Sequence, residues 1–248
     1  MYNKSGQYKS GFTLAEVLIT LGIIGIIAAM TMPTLLQKNR DKELVSRTKR
    51  VFADINNSLL LIQQQNGVVG DNSFLFNATD STNTIVKNLA KTFSGSKVCT
   101  VEDTSSKCKQ YHYDVKYSTL QADENGNATV GKLLGAKIIL SNGAIISVTT
   151  SGSGCEPTTY IETVTDNLGR PIKNEDGSNK TRPYVSDICG NIAFDVNGPK
   201  NPNQFGRDAY WLWVYKNKLE IRETSLKNIL TGNEKFEYTN YSKGQSIN

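Results

Sequence analysis

Residues 12–32 read FTLAEVLITLGIIGIIAAMTM, and this stretch decides what kind of chain this is. Twenty-one helical residues rise about 31 Å. The hydrocarbon core of a bilayer is about 30 Å thick. The segment is therefore long enough to span, and Glu16 is its one charged residue. Upstream lies the short basic stretch MYNKSGQYKSG, with Lys4 and Lys9 and no acid. Positive flanks stay cytoplasmic, which predicts an N-terminus inside and the remainder outside. A secretory signal would place a small-residue cleavage site behind the apolar run. Pro33-Thr34-Leu35-Leu36-Gln37 stands there instead. A cut in front of the run, after Gly11, is the available alternative.

Glu16 is the odd residue of the span. A carboxylate at membrane depth costs a few kcal/mol, less near the interface. It calls for a partner or a position among lipid headgroups. Cleavage after Gly11 would create an amino group on Phe12, one helical turn from Glu16. An axially shifted neighbour could then bring its own amine to this carboxylate.

Gly11-Phe12-Thr13-Leu14-Ala15-Glu16 followed by an apolar span resembles the type IV prepilin signal, shared by type IV pilins and by pseudopilins of type II secretion and competence systems. The resemblance covers roughly residues 9–37. It implies that Gly11 ends a leader (residues 1–11) cut by a prepilin peptidase. It further implies that Phe12 becomes an N-methylated first residue and that Glu16 is the assembly carboxylate. Pro33 would be the family's helix proline. The implied partners are the peptidase, other pilin-like subunits in a homo- or hetero-filament, and the inner membrane.

Past the span, Leu44, Val45, Thr48, Val51, Phe52, Ile55, Leu59 and Ile62 recur at spacings of three and four. This predicts one helix with a spanning part (12–36) and an amphipathic continuation (37–66). Pro33 should bend it, and Gly67 stands near its C-cap. The exterior part, 67–248, reads as short mixed elements. A small helix is expected over 83–93. Asn142-Gly143 between two β-rich runs signals a hairpin of 136–141 with 144–149. Residues 188–196 and 209–215 read as strands. Residues 166–183 read as a polar loop, and the chain from about Thr224 as a loosely held polar tail. The fold class expected is α+β, one long N-terminal helix packed on a small antiparallel sheet. The pilin family has the same plan.

Cys99, Cys108, Cys155 and Cys189 form no C-x-x-C pair, which argues against zinc or redox-motif chemistry. In an exported chain they suggest two disulfides, for which three connectivities exist. The sequence-local pairing, Cys99–Cys108 with Cys155–Cys189, is the one expected. Four buried thiols are the alternative. Asp195, Asn197 and Asp208 lie in an oxygen-rich stretch, DVNGPKNPNQFGRD, with a backbone limited by Gly and Pro. Calcium is the cation such oxygens suit, although the EF-hand pattern is not met. An Asx-turn loop is the plainer reading. The stretch is also similar to a loop found in many prepilin-like secretion proteins.

No catalytic set emerges. The one histidine, His112, has no evident nucleophile, and no P-loop, GxGxxG or HExxH is present. The formal charge of +5 is not arranged as a basic stripe, so no nucleic-acid partner is expected. The expected function is a structural, non-enzymatic filament subunit without a cofactor. The competing expectation is a surface adhesin or DNA-uptake pilin, for which an exposed Trp211 and Trp213 would supply the binding face.

Overall fold

The computed structural model describes residues 11–247. The leader expected over residues 1–11 therefore lies outside the described residues except for Gly11. The chain divides into two compact units, residues 1–43 and 44–248.

Helix α1 runs Leu14–Gln65 with Pro33 inside it. In the first unit it carries the apolar run, and none of its most apolar window is buried within the protein. Leu18, Ile19, Leu21 and Ile24 all stand open. In the second unit the helix becomes amphipathic. Leu44, Val45, Val51, Ile55, Leu59 and Ile62 are buried there, and Ile55 is completely enclosed. Burying one such side chain contributes roughly 1.5–3 kcal/mol. The helix stops where Gly67 takes φ +68, which only glycine adopts without strain.

The second unit is built on a six-stranded antiparallel sheet of order β1-β4-β5-β8-β9-β10. Its strands are β1 (Lys97–Cys99), β4 (Ala136–Ile139), β5 (Ile145–Thr150), β8 (Gly190–Asp195), β9 (Ala209–Tyr215) and β10 (Lys218–Ile221). Between β1 and β4 lie a short helix α3 (Ser106–Lys109) and a small ladder of β2 (Asp114–Val115) with β3 (Gly131–Lys132). Alternate side chains of the sheet face opposite sides. On one side Ile138, Ile146, Ile192, Phe194, Tyr210 and Leu212 pack with the buried stripe of α1 and with α2 (Thr82–Ala90). On the other side Ile145, Ala193 and Trp211 pack under Val115, Leu133 and Phe205. The central strands are thus covered on both faces, and all four residues of β4 are buried. The Asn142-Gly143 turn joins β4 to β5, with Leu140 N donating to Ala144 O at 2.9 Å.

Two sequence expectations are corrected. The segment read as a polar loop over 166–183 is the distal half of a long hairpin. There β6 (Thr158–Thr163) pairs with β7 (Thr181–Ser186), and isolated bridges extend it at Thr165–Pro171 and Lys173–Asn179. Its turn residues are real, but they close successive tight turns within a ladder. The C-terminal region is not a loosely held tail either. It forms α4 (Thr224–Leu230), which puts Leu226 and Ile229 into the core, and Tyr241 beyond it is buried. The Tyr241 hydroxyl accepts from Tyr117 N at 2.7 Å and donates to Thr129 O at 3.1 Å. A few apolar anchors separated by polar residues hold this region, too sparse a pattern to stand out.

Candidate functional site

Gly11 and Phe12 precede the helix in exposed chain outside any regular element, with Phe12 90% exposed. Thr13 is the N-cap. Glu16 Oε2 accepts from Thr13 N at 2.8 Å and from Thr13 Oγ1 at 2.8 Å, and Glu16 N donates to Thr13 Oγ1 at 3.2 Å. This reciprocal arrangement is a capping box, which satisfies amide donors that the first helical turn leaves unpaired. The sequence reading missed this second use of Glu16. The pattern that reveals it, Thr-x-x-Glu directly before an apolar helix, was present in Thr13-Leu14-Ala15-Glu16. The geometry brings Thr13 and Glu16 together at the first helical turn, with Phe12 directly before it in sequence. It leaves the apolar surface beyond them open.

The four cysteines form two bridges, Cys99–Cys108 and Cys155–Cys189, across sequence separations of 9 and 34. The second closes the base of the β6–β7 hairpin. Among the described residues no free cysteine remains.

Asp195, Asn197 and Asp208 meet in one loop between β8 and β9. Asp195 and Asp208 are both fully buried. Asp195 Oδ1 accepts from Asn197 N at 3.0 Å and its Oδ2 from the Tyr113 hydroxyl at 2.9 Å. Asp208 accepts from Gln204 N at 2.7 Å and Asn203 N at 2.9 Å. Burial, reinforced by the neighbouring Asp208, holds Asp195 well above the usual carboxylate range, and burial pushes Asp208 up to about 6. Gly198 is required in this loop. It takes φ +64, and a Cβ there would come within 2.7 Å of Gly143 O in the β4–β5 turn.

The aromatic run of β9 divides as its strand period dictates. Tyr210, Leu212 and Val214 are buried, while Trp211, Trp213 and Tyr215 are half-buried on the other side. The Arg222 guanidinium lies 3.5 Å over the Trp213 ring and the Lys218 ammonium 4.6 Å over Tyr215. Trp211 N donates to Glu223 Oε2 at 2.8 Å, and burial pushes this carboxyl up to about 7. Tyr117, Phe205, Trp211, Trp213, Arg222 and Glu223 line a shallow cavity of about 270 Å³. His112 is exposed. Its Nδ1 lies 3.4 Å from the Nζ of Lys137, a buried lysine on β4 whose ammonium also donates to Gly135 O at 3.1 Å. Burial brings Lys137 down to about 8.

The family described as the prokaryotic N-terminal methylation motif matches residues 6–32. This is the signature of type IV pilins and pseudopilins, and the long N-terminal helix with its small antiparallel sheet is consistent with a pilin-like α+β fold. No curated protein and no solved structure matches the chain.

Proposed function

We propose that this chain is a structural subunit of a type II secretion or type IV pilus-like filament, matured by a prepilin peptidase and assembled through the first half of α1. The observation that carries the reading is the methylation motif at residues 6–32, placed on a helix whose apolar window buries nothing within its own chain. An apolar helix that covers none of its surface needs lipid or other helices around it. In this reading the precursor waits in the inner membrane with its N-terminus inside and the second unit outside. The peptidase cuts after Gly11, and Phe12 becomes the methylated amino terminus. The helix then passes from lipid into a bundle of like helices. A head-to-tail contact that does not close produces a fibre. The new Phe12 amine of one subunit meets Glu16 of another, so that two charges enter the apolar bundle as a pair.

The test separates capping from pairing. Glutamine at the same helical position still completes a capping box but carries no charge. The full chain is expressed with a prepilin peptidase and partner subunits, and sheared filaments are assayed alongside intact mass. We expect a mature chain beginning at methylated Phe12. We also expect Glu16→Gln to be processed normally yet fail to enter filaments. Normal incorporation of Glu16→Gln would reduce Glu16 to a helix cap and overturn the pairing mechanism. An unprocessed chain still carrying Met1 would overturn the filament reading itself.

A further inference from the structure

The face of β9 turned away from α1 carries a cavity that filament assembly does not use. Trp211 and Trp213 line it, Phe205 packs 5.2 Å from the Trp211 ring, and Tyr117 stacks 6.5 Å beyond Phe205. Two charged residues adjacent in sequence, Arg222 and Glu223, complete the lining. Each is held in place, and each has hydrogen-bonding capacity left over. The Arg222 guanidinium lies 3.5 Å over the Trp213 ring, which pins the planar fork by its face and leaves its N–H edges free to donate. Arg222 makes its ion pair with Glu220 rather than Glu223, at 3.9 Å, too long for a hydrogen bond. The Glu223 carboxyl accepts from Trp211 N at 2.8 Å and from its own main-chain N–H. A carboxylate has about four lone-pair sites, so about two stay open.

A donor fork beside an open acceptor calls for a group that both accepts and donates. An ammonium meets half of this and is repelled by Arg222. A phosphate or carboxylate meets the other half and is repelled by Glu223. Neighbouring hydroxyls meet both. Burial pushes Glu223 up to about 7, so both forms of the carboxyl are present near neutral pH. A hydroxyl can donate to one form and accept from the other. The aromatic side chains add a second requirement, an apolar face. A pyranose of gluco configuration has two, because its equatorial hydroxyls leave only C–H groups above and below the ring.

The cavity of about 270 Å³ falls just below the 300–1,000 Å³ of sites for drug-sized ligands, so it holds about one ring. A second cavity of about 620 Å³ shares Ser118, Arg222 and Glu223 with the first and continues along Thr119, Lys235 and Tyr238. Its polar lining gives room for further units of a chain. A peptide strand would instead need an unpaired sheet edge, and β9 is paired on both sides, by β8 and β10.

We propose that this cleft binds a glycan of neutral, gluco-configured pyranose units, with one ring lodged among the aromatic side chains and its neighbouring hydroxyls bridging Arg222 to Glu223. Binding here does not depend on filament assembly, which rests on the N-terminal helix.

The experiment uses the full chain in a detergent without a sugar headgroup. Cellotetraose is the probe, and sorbitol is the control that has the hydroxyls but no ring. Trp211 and Trp213 are the two tryptophans of the chain, so intrinsic fluorescence reports on this cavity. Cellotetraose should give a saturable change with a Kd of about 1 mM, the ordinary efficiency of a ligand that seats about a dozen atoms. Sorbitol should give none. Arg222→Ala and Glu223→Gln should each weaken binding about tenfold. The Arg222 side chain is half-exposed, so Arg222→Ala should melt as the parent does. Lys218→Ala removes the cation over Tyr215, outside the cavity, and should leave the Kd unchanged. The proposal is overturned by a wild-type chain that melts cooperatively yet shows no change up to about 20 mM cellotetraose, well above the affinity expected of one seated ring. An equal response to sorbitol, a Kd unmoved by both Arg222→Ala and Glu223→Gln, or an equal loss in Lys218→Ala would also overturn it.

Discussion

Lys137→Met is expected to stabilise the exterior unit, and to do so only at pH values where a lysine is charged. Lys137 lies on β4, a strand buried along its whole length, and its side chain is 1% exposed. Among the described residues no ion pair reaches its ammonium; the groups near it are Gly135 O and His112 Nδ1. Burial lowers its pKa from 10.5 to about 8. The sign follows from linkage. Between these two values the unfolded chain binds a proton that the folded chain has released, so stability rises with pH there. Below the folded value both states are charged and the full cost is present. Above the unfolded value both are neutral and the cost is gone. At 1.36 kcal/mol per pH unit the cost near pH 7 is about 3 kcal/mol, falling to about 1.4 kcal/mol at pH 9.5. Met keeps the length of the apolar stem but gives up the bond to Gly135 O, which offsets about 1 kcal/mol. The net gain expected at pH 7 is therefore about 2 kcal/mol, closing to near zero by pH 9.5. Urea melts of the full chain in detergent, followed by the fluorescence of Trp211 and Trp213, would read it. His112 is held below its usual value by burial and by Lys137 and Lys132. Melts above pH 7.5 therefore avoid its titration. A variant less stable than the parent, or a gap that does not narrow with rising pH, would refute the uncompensated buried charge.

Two further outcomes are expected. Replacing Cys155 and Cys189 together with Ala should cost more than replacing Cys99 and Cys108. Loops of 34 and 9 residues restrict the unfolded chain by about 3.8 and 2.6 kcal/mol, and urea midpoints at equal m-values would show equal losses if loop closure were not the cause. Glu223 has a folded pKa of about 7 against 4.5 unfolded. The folded state therefore keeps a proton that the unfolded state loses, and stability should fall as pH rises from about 4.5 to 7. The whole shift is worth at most about 3 kcal/mol, less for a half-buried group. Glu223→Gln keeps an acceptor for Trp211 N and should flatten that part of the profile; an unchanged slope would assign it to other carboxyls.

The helical stripe was legible because Leu44, Val45, Val51, Ile55, Leu59 and Ile62 repeat with one period over five turns, and one partner surface buries them all. The central strands were legible for a related reason: β5, β8 and β9 are rich in β-branched and aromatic residues, and Asn142-Gly143 marks a turn. Lys97–Cys99 and Lys218–Ile221 were not. Three or four residues at a sheet edge carry no period, and pairing with β4 and β9 decides their conformation. The β6–β7 hairpin was missed because neither face is fully buried. Thr159, Ile161 and Thr163 are exposed, and Thr158, Tyr160 and Glu162 are only half-buried. Its few apolar residues fall on both faces, so no apolar–polar alternation marks it. Lys137 could not be foreseen as buried, since coverage of the second sheet face comes from Val115, Leu133 and Phe205, distant in sequence.

At the site, sequence reading picked out Glu16 for its charge, and the structure adds what the charge does before any partner arrives. Both bonds from Thr13 fall on one oxygen, Oε2. A carboxylate has about four lone-pair sites over two oxygens. The cap therefore does not consume the group, and Oε1 remains for a cation. In the proposed assembly, capping and pairing would then cooperate rather than compete. The box holds the first turn and fixes the rotamer of Glu16, so less side-chain entropy is lost when an amine meets it. It follows that Thr13→Ala, which removes the hydroxyl but leaves the charge, should weaken incorporation into filaments without abolishing it. Glu16→Gln should abolish it with the cap intact. The reverse order of severity would place the function in the cap and leave the pairing with no role.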